Sequence, residues 1–321
     1  MTWRHLYNVF NIIREIDLEA VQQQAHRRFA ILVTGCSDPD VLALARLVSG
    51  GAEVHPWLEL QALPHRHQET WDLALLVVRG ERLGDEEKAA REALHRAGVP
   101  VIVVLVGAPF TAEALPRRKE AARVRLLSTS DREGFERVLA PAILKVVPSL
   151  NLALGRHLWG LRSVVADQLI ERTSRANAAY VFTTGIAETI PVLSAPLAVA
   201  DVIVLTKNQL LMAYKLALVS GKEGRPRDIF VEVVGVIGGG LLFRQVARQL
   251  VGLVPGVGLM ARAAVAYAGT WAIGRLVYTW ATEGRRLSKA EMAQLTREAS
   301  QRAREAVRQF WQRRREPLPG D

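Results

Sequence analysis

Residues 31–46 read ILVTGCSDPDVLALAR, and this stretch decides the fold of the first half of the chain. An apolar run ends at Gly35, a short polar segment follows, and Ser37 or Asp38 can cap a helix with Pro39 in its first turn. A strand, a glycine loop and a helix in this order are the layout of a phosphate-binding loop. The first question is therefore whether this loop binds a nucleotide.

The side chains that a phosphate-binding loop needs are missing. The motif GxxxxGK[ST] uses its glycines to expose backbone N–H groups, its lysine to neutralise phosphates and its hydroxyl to bind magnesium. Aligned on Gly35, the chain has Asp40 for the second glycine, Val41 for the lysine and Leu42 for the Ser/Thr. Asp38 and Asp40 complement the positive end of the helix themselves and repel a phosphate. We predict a vestigial loop and a self-capped helix, with no nucleotide or other cofactor.

Residues 29–145 alternate apolar and amphipathic segments. After the first strand and helix, we predict strands in AEVHPWLEL, WDLALLVVRG, VPVIVVLVG and VRLLSTS, and helices in GDEEKAAREALHRAG and from Asp131 to Val147. Apolar strands that alternate with helices indicate a mostly parallel sheet covered by helices on both faces. The fold class predicted here is α/β, followed by an all-α hydrophobic helical domain.

The pattern changes after Pro148. Residues 150–177 predict one long helix, the chain from Ala178 is apolar and glycine-rich, and residues from Ser288 predict a basic amphipathic helix. The predicted division is an amphipathic N-terminal helix (1–28), the α/β domain (29–148), the helical domain (149–287) and the basic helix with its tail (288–321).

Part of the α/β domain resembles the small Ras-type and Era-type GTPases. The similar stretches are DLALLVVRG, EEKAAREALHRAGVPVIVVLVGAP and LLSTSDREGFERVL. Where those enzymes carry the guanine-reading NKxD motif, this chain has Leu105-Val106-Gly107-Ala108, and no DxxG switch precedes Trp71. The resemblance implies a degenerate GTPase-like domain of the P-loop type that does not hydrolyse nucleotide.

The apolar half carries a few charges. Three blocks, 178–205, 229–243 and 251–280, contain Glu188, Asp201, Glu232, Arg262 and Arg275. A helix that spans a bilayer needs about 20 apolar residues, and a central charge costs about 2.5–3.5 kcal/mol on insertion. The blocks therefore fit membrane-inserted hairpins with the charges facing one another or the headgroups, or a soluble helical bundle. We favour membrane association.

A second resemblance covers residues 165–285. The segments ETIPVLSAPLAVADVIVLTKNQLLMAYKLALVSGKEG and ARQLVGLVPGVGLMARAAVAYAGTWAIGRLVYTWATEG are similar to the bacterial family called domain of unknown function 697. That family is commonly appended to GTPase domains and is similar to inner-membrane proteins of unknown role. The resemblance implies a membrane-linked partner domain and no reaction.

Charge indicates the kind of partner. The net charge is +10 and the pI about 10.2, which fits an anionic membrane or a nucleic acid. The predicted contacts with membrane or partner are Arg285, Arg286, Arg313, Arg314 and Arg315. Sequence-specific nucleic-acid binding is disfavoured, because the basic tail lacks stacking aromatics other than Phe310 and Trp311, which we expect to pack.

The histidines and the cysteine give weaker indications of a functional site. His65 and His67 form an HxH pair near His55, but a fourth zinc ligand is lacking, so we predict surface histidines and no metal site. Cys36, the single cysteine, precedes a helix N-terminus, where a thiol pKa can fall, but the flanking Asp38 and Asp40 oppose this. We predict a structural cysteine.

The prediction is a non-catalytic scaffold protein at the cytoplasmic face of a bacterial membrane. Its expected partners are anionic lipid and a protein, for which a GTPase is one candidate. A second copy of the chain is a further candidate partner. The alternatives are a nucleotide hydrolase with a variant P-loop that binds through the backbone around Gly35, and a soluble helical adaptor in the cytoplasm.

Overall fold

The computed structural model describes residues 16–51, 53–63, 71–107, 123–126, 131–187, 194–238 and 259–315. The chain divides into two compact units, one formed by residues 22–165 and one by residues 1–21 with 166–321. The first unit holds a parallel sheet with helices and the second is helical, which confirms an α/β fold followed by a helical region. The division lies at Val165, whereas the change in sequence pattern predicts it at Pro148.

The sheet of the first unit has five parallel strands in the order β2-β1-β3-β4-β5. The strands are β1 (Ile31–Gly35), β2 (Leu58–Ala62), β3 (Leu73–Arg79), β4 (Val101–Val106) and β5 (Arg123–Leu126). Residues 73–78 of β3 are all buried, because helices cover both faces of a parallel sheet.

Two of the described helices of this unit begin or end at residues that local signals predict. The described helices are α1 (Leu18–Ala25, which starts in the other unit), α2 (Asp38–Ser49), α3 (Asp85–Arg96), α4 (Arg132–Val146, with a π-helical turn at Phe135–Leu139) and α5 (Asn151–His157). Asp131 caps α4, since its side chain accepts a hydrogen bond from the Gly134 N–H. Gly50 ends α2 at φ 81°, a conformation that favours glycine.

The single long helix predicted over residues 150–177 is wrong. The chain breaks at Leu158, which is extended, and α6 (Trp159–Ala187) begins after it. The break brings Gly160 against the last turn of α2, where an added Cβ would lie 1.9 Å from the Leu47 carbonyl oxygen. Helical periodicity continues through Leu158, so the sequence pattern did not reveal the break. The close contact of Gly160 with α2 lies directly after it.

In the described part of the second unit, four further helices follow α6. They are α7 (Ser194–Val219), α8 (Pro226–Gly238), α9 (Leu259–Glu283) and α10 (Lys289–Arg315). Among the described residues, no single helix combines the length and apolarity needed to cross a bilayer, and one pair bent by 100°, Arg132–Val146 with Pro148–His157, meets that test by length and composition.

The basic helix predicted from Ser288 is present as α10. It begins with a capping box, in which the Ser288 N–H donates to Glu291 Oε2 (2.7 Å) and the Glu291 N–H donates to Ser288 Oγ (3.3 Å). The spacing of Met292, Leu295, Ala299, Ala303, Ala306 and Phe310 predicts one apolar face of this helix, and of these residues Leu295 and Ala299 are buried and Met292 is half-buried. The side chains of Ala303, Ala306 and Phe310 lie outside the described residues.

Candidate functional site

The carboxyl edge of the sheet is the first place to look for a site. Ligands of doubly wound sheets bind where the strand order reverses, which here is between β1 and β3. Gly35 ends β1, Arg79 ends β3, and α2 begins beside them. The vestigial loop predicted from the sequence therefore lies at the topological switch point.

Gly35 has a packing reason to be glycine. A Cβ added to it would lie 2.4 Å from the carbonyl oxygen of Val77 on β3 and 3.2 Å from Val41. Backbone oxygen cannot move aside as a flexible side chain can, so a larger residue would strain the β1–β3 pairing. A phosphate is therefore not needed to explain this glycine.

The backbone at the start of α2 offers little to an anion. Ser37 is the N-cap residue, and its carbonyl accepts hydrogen bonds from the N–H groups of Asp40 (3.1 Å) and Val41 (3.0 Å). Pro39 has no N–H. Three of the first four helical residues thus have no N–H left for a phosphate, although helix N-termini commonly bind one.

Asp40 places a negative charge where the second glycine of a P-loop would stand. It is 6% exposed, and its Oδ2 accepts hydrogen bonds from Arg79 Nη2 (2.7 Å) and Nε (3.0 Å). Asp38 is exposed, Val41 buried and Leu42 half-buried. The carboxylate and its arginine partner satisfy each other, so the site carries its own anion.

The thiol of Cys36 faces acidic residues of α3. Its Sγ lies 3.6 Å from Glu86 Oε2, and partial burial with the nearby Glu87 and Glu86 carboxylates raises the pKa to about 11. A thiol with this pKa stays protonated at neutral pH and is a weak nucleophile. Burial is the largest cause, and the acids that add to it are Glu87 and Glu86 of α3 rather than Asp38 and Asp40, which flank the cysteine in sequence.

The other loops of this edge are described in part. The Gly80 N–H donates to the Val106 carbonyl (2.9 Å), and Gly107, at the third position of the segment aligned with NKxD, adopts φ 72°. Ala108 and the loop with Ser128, Thr129 and Ser130 lie outside the described residues.

The second candidate site is a cluster of histidine and aromatic rings. His157 contacts Trp57 (ring centroids 4.5 Å apart), His55 (5.8 Å), Phe29 (6.3 Å) and His26 (6.4 Å). Partial burial, with the charges of Arg156, His55 and His26, lowers the pKa of His157 to about 4, and burial lowers the pKa of His55.

The histidine cluster is not a metal centre by geometry. Within the described ranges, no group of three His, Cys, Asp or Glu side chains is placed to hold a metal ion. His65 and His67 lie outside these ranges. His55 packs in the ring cluster, against Phe29 and Trp57.

The charges of the apolar half occupy several environments. Arg275 pairs with Asp167 (2.7 Å), Glu232 pairs with Lys222 (3.5 Å), and Arg262 is exposed. Glu188 and the side chain of Asp201 lie outside the described residues.

The arginines predicted to contact a membrane or a partner differ in their ion pairing and exposure. Arg285 donates to both carboxylate oxygens of Glu291 (2.9 and 2.7 Å) and pairs with Glu283 (2.8 Å), so it stabilises the start of α10. These partners raise the pKa of Arg285 and lower that of Glu291 to about 2. Arg286 is exposed, and Arg313, Arg314 and Arg315 end α10, with side chains outside the described residues.

Sequence reasoning missed a buried polar network in the helical unit. Thr270 Oγ1 accepts hydrogen bonds from Asn177 Nδ2 (2.9 Å) and Gln209 Nε2 (3.0 Å), and Asn208 Nδ2 donates to Asn177 Oδ1 (2.8 Å). Asn177 and Thr270 are fully buried. Isolated amides within apolar segments are the signal that would have indicated this network.

Comparison of the chain with protein-family models, with curated proteins and with solved structures finds no match.

Proposed function

We propose that the chain is a non-catalytic interaction protein with a GTPase-like sheet domain that binds no nucleotide and a helical domain that associates with an anionic membrane surface. The resemblances to GTPases and to the domain of unknown function 697 family support this proposal. The proposed place of action is the cytoplasmic side of a bacterial membrane.

The ion pair between Asp40 and Arg79 carries the proposal. A nucleotide would have to displace a carboxylate that is 6% exposed and held by two hydrogen bonds, at a loop without the P-loop lysine. Like charges at close range in a partly buried site repel strongly. Phosphate binding at the switch point is therefore disfavoured by electrostatics and by the occupied N–H groups.

Titration calorimetry with GTP, GDP and ATP in the presence of Mg²⁺ tests this proposal. We expect no saturable heat with nucleotide at millimolar concentration, because the P-loop lysine is absent, Arg79 is paired with Asp40, and three of the first four residues of α2 have no free N–H. A micromolar affinity would contradict the proposal and favour the variant hydrolase.

A matched pair of variants would locate any binding that is seen. Arg79→Ala removes the exposed cation at the switch point, whereas Arg137→Gln removes an exposed arginine of α4. Loss of nucleotide affinity in the first variant alone would place the ligand beside Asp40.

Membrane association is proposed from the charge of α10. This helix contains eight arginines and lysines and three glutamates, and Leu295, Thr296, Ala299 and Ser300 form its buried face. Exposed arginines such as Arg297 lie on the rest of its surface. Basic helices of this kind are attracted to anionic lipid.

Vesicle flotation tests this part of the proposal. We expect the protein to float with vesicles rich in phosphatidylglycerol at low salt and to be released at about 1 M salt, where screening removes the attraction. Replacing Arg313, Arg314 and Arg315 together by glutamine should weaken binding by at least about tenfold, since each basic residue near the surface contributes up to about 1 kcal/mol.

A triple variant with the same loss of charge is the control. The exposed arginines chosen for it are Arg91 and Arg96 on α3 and Arg82 in the segment before that helix. Their replacement by glutamine should leave vesicle affinity nearly unchanged. Equal losses in both variants would mean that only net charge matters, and no binding by the wild type would favour the soluble adaptor.

A further inference from the structure

Trp159 is exposed although tryptophan is rarely left in water. It is 66% exposed, whereas Trp71 and Trp271 are both 5% exposed. Trp159 begins α6 directly after the break at Leu158, so the backbone geometry directs it away from the core that Leu158 and Leu161 enter. An exposed large apolar side chain of this kind marks an interaction site when its neighbours are also suited to a partner.

The indole is held in place by an arginine. The guanidinium of Arg162 lies 5.0 Å from the ring centroid of Trp159, within the range of a cation–π interaction. Arg162 donates in turn to the carbonyl oxygens of Arg156 (3.0 Å) and Gly155 (3.3 Å). The exposed ring is therefore ordered before it meets a partner, which lowers the entropy that binding costs.

The surroundings of Trp159 are positive. Arg132 Nη2 donates to the Gly160 carbonyl (3.4 Å), and the last turn of α2, which contacts Gly160, carries the exposed Arg46. Glu136, which pairs with Arg132, is the acidic group that offsets part of this charge. The N-terminus of a 29-residue helix adds a partial positive charge at Trp159 itself.

We propose that Trp159 and its arginines dock on the headgroup region of an anionic bilayer, an inference that rests on the membrane association proposed above. A protein partner would call for a broad apolar patch around the anchor. Among the described residues, the other large apolar side chains that are exposed, Leu60, Ile203 and Val231, belong to other elements. One amphipathic indole beside arginines instead matches the composition of membrane interfaces.

Vesicles of phosphatidylglycerol and phosphatidylcholine with brominated acyl chains provide the test. Bromine quenches tryptophan that enters the bilayer, so the fluorescence of a Trp311→Phe background should fall on binding, and adding Trp159→Phe should remove most of that change. Trp159→Ala should weaken partitioning into unbrominated vesicles of the same composition by about tenfold, because its apolar area is no longer removed from water.

Two controls separate this docking site from general effects. Leu60→Ala truncates another exposed apolar side chain, 38% exposed on β2, and should leave partitioning unchanged. Arg162→Gln should weaken partitioning more than Arg137→Gln. The second variant removes an equal charge from Arg137, which pairs with Glu133 on α4.

The outcomes distinguish the two proposals. If the wild type binds these vesicles and Trp159→Ala binds equally well, docking through Trp159 is refuted while membrane association stands. If the wild type does not bind them, membrane association itself fails and the docking site fails with it.

Discussion

Replacing Thr270 by valine is expected to destabilise the helical unit by about 3 kcal/mol. Valine has nearly the same shape, but it removes the oxygen that accepts hydrogen bonds from Asn177 (2.9 Å) and Gln209 (3.0 Å). Asn177 is fully buried, so its amide donor cannot turn to water, and each unsatisfied buried donor costs about 1–3 kcal/mol. Urea unfolding, with hydrogen exchange of the α6, α7 and α9 amides to localise the effect, measures the loss.

Thr270→Ser is the matched control. It keeps the hydroxyl and removes one methyl group, which should cost only about 1 kcal/mol. If the valine variant is as stable as the serine variant, the hydroxyl does not hold the network together. The network would then contribute packing alone at the place where α6, α7 and α9 meet.

The sheet could be predicted because its signals are local. β3 and β4 are continuous apolar runs, and Gly50, Asp131 and Ser288 mark helix ends through well-understood capping chemistry. Parallel pairing follows from the helices between the strands. These features need no knowledge of distant contacts.

The chemistry of the switch point was predicted in part. That no lysine stands at the P-loop position is visible in the sequence, and the repulsion of phosphate by Asp40 stays a prediction. Arg79 lies 39 residues from Asp40, and the parallel pairing of β1 with β3 brings their ends together. The acids beside Cys36 likewise come from α3, so no local pattern could identify them.

The break before Trp159 could not be predicted for the same reason. Leu154, Leu158, Leu161 and Val165 keep helical spacing through the break. The close approach of Gly160 to the Leu47 and Val48 carbonyls is a contact with α2, over a hundred residues away in sequence. Tertiary packing overrides local propensity at this point.

Acid is expected to destabilise the sheet unit through His157. The folded pKa of about 4 lies below the ordinary value of 6.5, so between these values the unfolded chain binds a proton that the folded chain excludes. Stability is therefore full above about pH 6.5 and falls as the pH drops toward 4. The loss should reach about 2 kcal/mol at pH 4.5, allowing for solvent access to the half-buried ring.

The difference between wild type and His157→Phe isolates this contribution from the carboxylates that also titrate in acid. Phenylalanine keeps a ring against Trp57 and His55 but binds no proton, so the variant should lose less stability between pH 7 and pH 4.5. His95→Gln, which changes an exposed histidine on α3, should follow the wild-type curve. Parallel curves for wild type and His157→Phe would mean that the cluster admits water on protonation, because a desolvated imidazole cannot be charged without cost.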